Sequence, residues 1–375
     1  MSDSGGPSWE DEASSPVSSS GSDRHTCVIA HSTSTRLRER ESWSRALRGD
    51  REAFALATGR FRRELEVHCY RMLGSLEDAE DVVQETLLRA WRRRETFRGQ
   101  STLRAWLYGI ATNGALDLLE HRSRRLLPQF VGEPPTDPAE TPVWTGEVPW
   151  LEPYPDRLLD EVVDGEDAPE VAIVAAETIE LAFLVAIQRL PPRQRAVLIL
   201  RDVVGWSARE TAAMLEMSVI AGNSALQRAR ETLREHLPER REDWRRSRLA
   251  DPREREVLAQ YLDAWERTDP RALAALLKED VRLSMPPSPA WCFGRDAVAR
   301  FFAAYPWSPS TRRHLHVATR ANRQPAFAVF LEGASGAPAE PFAVEVLRIE
   351  DGLIADIDNF LQPELLERFA IAPPG

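Results

Sequence analysis

Apolar residues change their spacing several times along this chain, and the changes divide it. Ser75-Leu-Glu-Asp78 has the form of a capping box, in which the serine oxygen accepts from backbone donors of a first helical turn. Behind it Ala79, Val82, Val83, Leu87, Ala90 and Trp91 recur at spacings of three and four. That period predicts an amphipathic helix with one buried stripe. Asp78, Asp81, Glu85 and Arg89 fall on the opposite face, with Gln84 beside them; alone, this is also the pattern of a solvated helix face. A second helix has Leu103, Leu107, Ile110 and Ala111 as its stripe and brings Arg104, Trp106, Tyr108 and Asn113 close together. Aromatics beside arginines can stack unpaired bases while the cations hold phosphates; a core role for Trp106 stays open.

The helical period resumes further on. Leu190-Pro-Pro-Arg-Gln-Arg195 opens a helix that runs on through Ala196 to Asp202, proline being tolerated where amide protons lack intrahelical partners. Gly205-Trp206 breaks it, and Ser207-Ala-Arg-Glu210 is a second capping box. A short helix from Ala208 to Leu215, a turn at Glu216-Met217 and a long helix capped by Ser218 make a helix-turn-helix pattern. In that motif the second helix puts its N-terminal residues against base edges in the major groove. Those positions hold Ser218, Asn223, Ser224, Gln227 and Arg228, with Leu226 and Ala229 facing inward. Asn and Gln can pair with adenine, Arg with guanine or phosphate. Gly222 interrupts this helix at a cost of roughly 1 kcal/mol against alanine; it either lets the backbone approach DNA or simply weakens the helix.

From about residue 252 the pattern changes again. Tyr261-Leu-Asp-Ala-Trp265 and Leu273-Ala-Ala-Leu-Leu277 suggest two amphipathic helices. Strand-like runs follow at His314–Thr319, Phe327–Leu331, Phe342–Ile349 and Leu353–Phe360, with Gly352 marking a turn. Helices followed by a curved sheet predict an α+β cone. The fold class is therefore mainly α, in two helical modules, with a C-terminal α+β part.

Composition refines these divisions. Residues 1–41 are Ser-rich and read as a disordered tail, without the apolar core of a signal peptide. Helical modules cover 42–126 and 171–248, a Pro-rich acidic linker covers 127–170, and the cone covers 252–375. No apolar run approaches the roughly 20 residues of a membrane span, so no membrane partner and a cytoplasmic location are expected. The net charge of −11 is unevenly placed. Between Val131 and Glu180 only Arg157 opposes a run of acidic residues, while 89–104, 122–125 and 228–248 are dense in arginine. Cys27, Cys69 and Cys292 are too scattered for a disulfide framework or a CxxC pair. His314 and His316 could share a strand face, but no carboxylate or Cys constellation accompanies them, so no metal and no cofactor are expected.

The string Asp78-Ala-Glu-Asp-Val-Val-Gln-Glu-Thr-Leu-Leu-Arg-Ala-Trp91, then Phe97-Arg-Gly-Gln and Trp106-Leu-Tyr-Gly-Ile-Ala-Thr-Asn113, resembles region 2 of ECF sigma factors of the sigma-70 family. The segment from Leu190 to Leu233 resembles region 4. The resemblance implies that Asp81, Gln84 and Glu85 dock on the clamp coiled coil of core RNA polymerase. It assigns Arg104, Trp106, Tyr108 and Asn113 to the −10 element, and matches Asn223, Ser224 and Arg228 to residues that contact −35 DNA in a module that also touches the polymerase flap. It further implies that the acidic linker threads the polymerase RNA path. Met285-Pro-Pro, Gly294-Arg-Asp and Asp351-Gly-Leu-Ile-Ala-Asp-Ile resemble the SnoaL-like group of the NTF2-like fold, built around a pocket. There Asp296, His314, His316, Asp356 and Asp358 are the candidate polar groups, for a small-molecule ligand or an intramolecular regulatory contact. The expected function is non-enzymatic promoter recognition with core polymerase. A stand-alone helix-turn-helix regulator and an NTF2-like enzyme fused to a DNA-binding module are the alternatives.

Overall fold

The computed structural model describes residues 41–97, 99, 101–121, 125–130, 149–163, 179–236, 252–334 and 337–374. The expectations for the tail, Cys27, the acidic run over 131–148 and 164–178, and the arginines beyond 236 lie outside the described residues. Two compact units are present, divided after Ala57. In the first, a helix over 41–47 precedes the start of α1 (Arg51–Gly59). The Trp43 and Phe54 rings lie 6.0 Å apart, and Arg45 pairs with Asp50 at 2.6 Å.

The second unit is organised by α2 (Arg62–Leu73), in which every residue from Leu65 to Leu73 is buried. Its sequence is too polar to predict this. The polar groups are satisfied internally: Arg62 and Arg63 hold Glu66, and His68 Nε2 lies 2.8 Å from Thr112 Oγ1. Burial pushes the His68 imidazole down to about 3, so it is neutral. Gly74 ends α2 with φ of 73°, where a Cβ would also meet Leu151 Cδ1 at 2.8 Å.

Around α2 pack α3 (Leu76–Arg92), α4 (Leu103–His121), α5 (Asp156–Val163), α6 (Leu181–Gln188) and α7 (Pro192–Leu198). Ser75 Oγ caps α3, accepting from Asp78 N at 3.3 Å. Asp78 itself leaves the expected solvated face: it is buried, with Arg125 at 2.9 Å. Leu87 and Trp91, placed in the stripe by spacing, are only half-buried.

Within the stretch read as a Pro-rich acidic linker, Asp156–Val163 form a helix and 149–155 pack against the fold without a regular element. Prolines 149, 153 and 155 interrupt any regular element, and Trp150, Leu151 and Tyr154 are buried. Glu152 caps α3, accepting from Leu76 N at 2.9 Å, and Tyr70 donates to the Glu152 carbonyl at 2.6 Å. Helix α5 follows, its Leu158 and Leu159 buried. Apolar residues interleaved with the acids override the composition.

After α6, apolar up to Gln188 at its end, α7 continues into a π turn at Ile199–Val203. The fully buried Arg195 donates to the carbonyls of Ile187, Gln188, Leu190 and Met72 and to Gln188 Oε1, tying the end of α2 to α6 and α7. Then come α8 (Ala208–Met214), with both arms of the capping box formed, and α9 (Val219–His236).

The C-terminal part begins with α10 (Pro252–Glu266) and α11 (Pro270–Leu276). β1 (Leu277–Ser284), β2 (Trp291–Phe293), α12 (Arg295–Ala304), β3 (His314–Ala321), β4 (Gln324–Leu331), β5 (Glu340–Glu350), β6 (Leu353–Phe360) and α13 (Leu365–Phe369) follow. The six-stranded sheet has the order β2-β1-β6-β5-β4-β3, antiparallel except for β1 against β6. Tyr261, Trp265, Leu273, Val298 and Phe302 of the helices share a core with Phe327, Leu347 and Ile357 of the sheet. This is the expected α+β cone, with β1, β2 and α12 added to the elements read from sequence.

Candidate functional site

Three surfaces carry the residues singled out above. On α9, Ser218, Asn223, Ser224, Gln227 and Arg228 are all exposed, while Ala225, Leu226 and Ala229 are buried. Ser218 Oγ accepts from Ala221 N at 3.1 Å, and Gln227 donates to Glu231 at 3.1 Å. Gly222 faces inward, where a Cβ would meet only Met217 Sδ at 3.8 Å, so a close approach to DNA there is excluded. Val219 and Ile220 stand out into solvent, Ile220 at 80% exposure. Apolar spacing hides them, because residues exposed at a helix start look like ordinary core positions.

On α3, Asp81 and Gln84 are exposed and Glu85 is half-exposed, paired with Arg89 at 2.9 Å. Leu88, one turn further, is exposed and completes a mixed polar and apolar face.

The α4 cluster behaves differently. Trp106 is half-buried and packs on Phe97 at 5.3 Å. Tyr108 is buried; its hydroxyl donates to Glu64 Oε1 at 2.8 Å, and its ring lies 5.7 Å from Trp206. Arg104 pairs with Glu64 and lies 4.8 Å over the Trp206 ring. Asn113 donates to the Met214 carbonyl at 3.2 Å. Gly109 lets α4 and α8 approach: a Cβ there would sit 4.0 Å from Met214 Cβ. Arg104, Trp106, Tyr108 and Asn113 lie along one helix, as expected, but they do not form one open surface in this structure. Three of the four are held by Glu64 and by the helix-turn-helix part, because Trp206 and Met214 cover this face of α4.

The turn between β3 and β4 also reaches the helical parts. Asn322 and Arg323 both have positive φ, 54° and 60°, as a two-residue hairpin turn requires. Asn322 is fully buried. Its Oδ1 accepts from Tyr154 N at 2.7 Å, and its Nδ2 donates to the Ile179 carbonyl at 2.8 Å and Tyr70 Oη at 3.0 Å. Gln324 Oε1 accepts from Leu181 N at 3.0 Å, and Arg323 N donates to Asp156 at 2.8 Å. One turn thus clasps α2, the linker and the start of α6.

Comparison with known proteins fits this arrangement. Family models match at residues 59–125 (Sigma-70 region 2), 180–233 (Sigma-70, region 4) and 258–357 (SnoaL-like domain). The ECF RNA polymerase sigma factor SigG of Mycobacterium tuberculosis is 41% identical over 326 residues, 86% of this chain and 84% of that protein. The chain belongs to the ECF family of RNA polymerase sigma factors. It is a promoter-directing transcription initiation factor with a C-terminal SnoaL-like domain. SigW of Bacillus subtilis is 31% identical over 193 residues, 51% of this chain and 91% of that protein. The crystal structure of the M. tuberculosis ECF sigma factor SigJ covers 82% of this chain and 96% of its own, with TM-score 0.52 and 22% identity, a likeness of fold.

In the SnoaL-like domain of this sigma factor the five candidate polar residues do not converge. Asp296 is exposed on the first turn of α12. Asp356 and Asp358 lie on alternate positions of β6 with Arg348 and Ser284 as partners, and burial pushes the Asp358 carboxyl up. His316 is packed on Trp265 at 4.5 Å, and its imidazole is pushed down to about 3. Of the five, His314 alone lines the cavity of the domain. The expectation of a shared polar pocket is corrected: strand alternation sends β6 residues 356 and 358 to the face opposite Ile357, which joins the core. Among the described residues no group of His, Cys, Asp and Glu could hold a metal, and no helix is long and apolar enough to cross a membrane.

Proposed function

We propose that this sigma factor reads promoters in two stages, from a resting state in which its region 4 part covers its region 2 part. The observation that carries the reading is the contrast between α9 and α4. Ser218, Asn223, Ser224, Gln227 and Arg228 are exposed at the recognition helix, whereas Arg104, Tyr108 and Asn113 are held by Glu64 and by the Met214 carbonyl. In this reading α9 enters the major groove of the −35 element, with Val219 and Ile220 offering apolar contact to thymine methyl groups. The α3 face of Asp81, Gln84, Glu85 and Leu88 docks on the clamp coiled coil of core polymerase, and the region 4 part meets the flap. Docking separates α4 from α8, and Arg104, Trp106, Tyr108 and Asn113 then hold the melted −10 strand by stacking and phosphate contact. The clasp at Asn322 makes the C-terminal domain a regulator of that separation. No step in this reading needs catalysis by the chain.

Permanganate footprinting of promoter complexes tests the assignment. Trp106→Ala should keep polymerase binding and lose reactivity of the −10 thymines; a normal footprint would contradict it. The exposed recognition helix also allows a stand-alone duplex-binding regulator. Gel shifts with and without core polymerase separate the two, since strong specific binding by the free chain supports the regulator.

A further inference from the structure

A cavity of about 410 Å³ opens in the C-terminal domain between α10, α12 and the ends of β1 and β6. Its walls are mainly rings, among them Trp265, Trp291, Phe301, Tyr305 and Phe342, and none of its lining side chains is Asp, Glu, Lys or Arg. A charged molecule would lose its hydration there and find no counter-charge. The size is that of a site for a small organic ligand.

Of the polar residues in the lining, which also include the hydroxyls of Ser288, Tyr305 and Thr311, two present an amide or imidazole acceptor. Asn359 stands opposite Glu345 in the β5–β6 ladder and shares the inward face of β6 with Ile357. Its Oδ1 is buried without a hydrogen-bond partner. A buried carbonyl left unpaired is costly, so it marks where a donor belongs. His314 packs on Trp265 at 5.2 Å and on Phe342 at 5.3 Å. Burial lowers its proton affinity, which favours the neutral ring. One nitrogen of a neutral imidazole is an acceptor. Aromatic walls, absent charge, acceptors awaiting a donor and the buried Trp265 N–H define the ligand, since a hydroxyl can serve both kinds of group.

We propose that this cavity binds a neutral, mostly aromatic or alicyclic molecule carrying a hydroxyl or N–H donor. The donor meets Asn359 Oδ1 or the His314 ring, and the apolar body fills the space between Trp291, Phe301 and Phe342. Binding of such a molecule does not depend on the promoter reading, so the two can fail separately.

Calorimetric titration of the full chain at pH 7 with 2-naphthol, naphthalene and 2-naphthoate tests the proposal. One equivalent of 2-naphthol should bind saturably, about tenfold or more tighter than either comparator, the discrimination expected of one buried hydrogen bond and one unpaired buried charge. Asn359→Leu should bring 2-naphthol down to the level of naphthalene while leaving naphthalene binding in place. Phe301→Trp, which fills the cavity with ring carbon, should weaken both, and supplies the test if Asn359→Leu does not fold. Absence of saturable binding, 2-naphthoate binding as tightly as 2-naphthol, or indifference of 2-naphthol to both substitutions would overturn it.

Discussion

Glu345 is fully buried in the C-terminal domain and accepts a hydrogen bond from the Tyr261 hydroxyl at 2.9 Å. Burial pushes its carboxyl up to about 7 from an ordinary 4.5. Between those values the folded state keeps a proton that the unfolded chain releases, so its contribution to stability is full below about 4.5 and declines until about pH 7. The loss amounts to roughly 3 kcal/mol at most. Glu345→Gln should therefore unfold at higher urea than the parent at pH 8 and lose that advantage near pH 4.5; an advantage equal at both would contradict the assignment. Gly222 supplies a second residue-scale test. Its inward direction leaves room for a methyl group, so Gly222→Ala should raise stability by about 1 kcal/mol in thermal melts without weakening −35 binding. The glycine itself was legible in the sequence, but its direction was not, because a helix period places a residue only once the packing partner is known.

At the scale of elements, helices with strong period and capping signals were read well: Ser75, Ser207 and Ser218 all accept from the backbone amides expected of them. Elements buried on every side were not. Helix α2 alternates charge with apolar residues and α6 is apolar up to its last residue, Gln188, so neither shows a single stripe. Helix α4 was read from its stripe, but Tyr108 and Arg104 could be named and not placed because their partners Glu64 and Trp206 are far away in sequence. Arg195 reads as one more helix-surface arginine, and yet it donates to five oxygens on α2, on α6 and in the turn after α6. Arg195→Met strands those carbonyls and should lower stability by about 3 kcal/mol in denaturant titration; a loss below about 1 kcal/mol would mean that the carbonyls find other partners. The clasp behaves as an element of its own. Asn322 adopts the left-handed conformation that asparagine tolerates and uses both ends of its amide. Asn322→Ala leaves Tyr154 N and the Ile179 carbonyl unpaired. It should loosen the hold of the C-terminal domain on the helical parts, seen as faster amide exchange at Tyr154 and Leu181 with the protection of the cone's strands unchanged.

The whole molecule contains two sigma modules and a cone held by contacts that sequence does not announce. Motifs fixed the families of all three parts, since capping, period and turn chemistry are local. The covering of α4 by Trp206 and Met214, and the clasp at Asn322, join residues about a hundred or more positions apart, where no local pattern reports the pairing. The measurement that decides the account is a reversible lock between α4 and α8. Gly109→Cys with Met214→Cys places two sulfurs where the Cβ separation is 4.0 Å, within the range a disulfide spans. With Cys27→Ser to remove a competing thiol, the oxidised protein should give about tenfold fewer run-off transcripts with core polymerase than the same protein after reduction. An oxidised sample, its disulfide confirmed by mass, that transcribes as well as the reduced one would contradict the need to open.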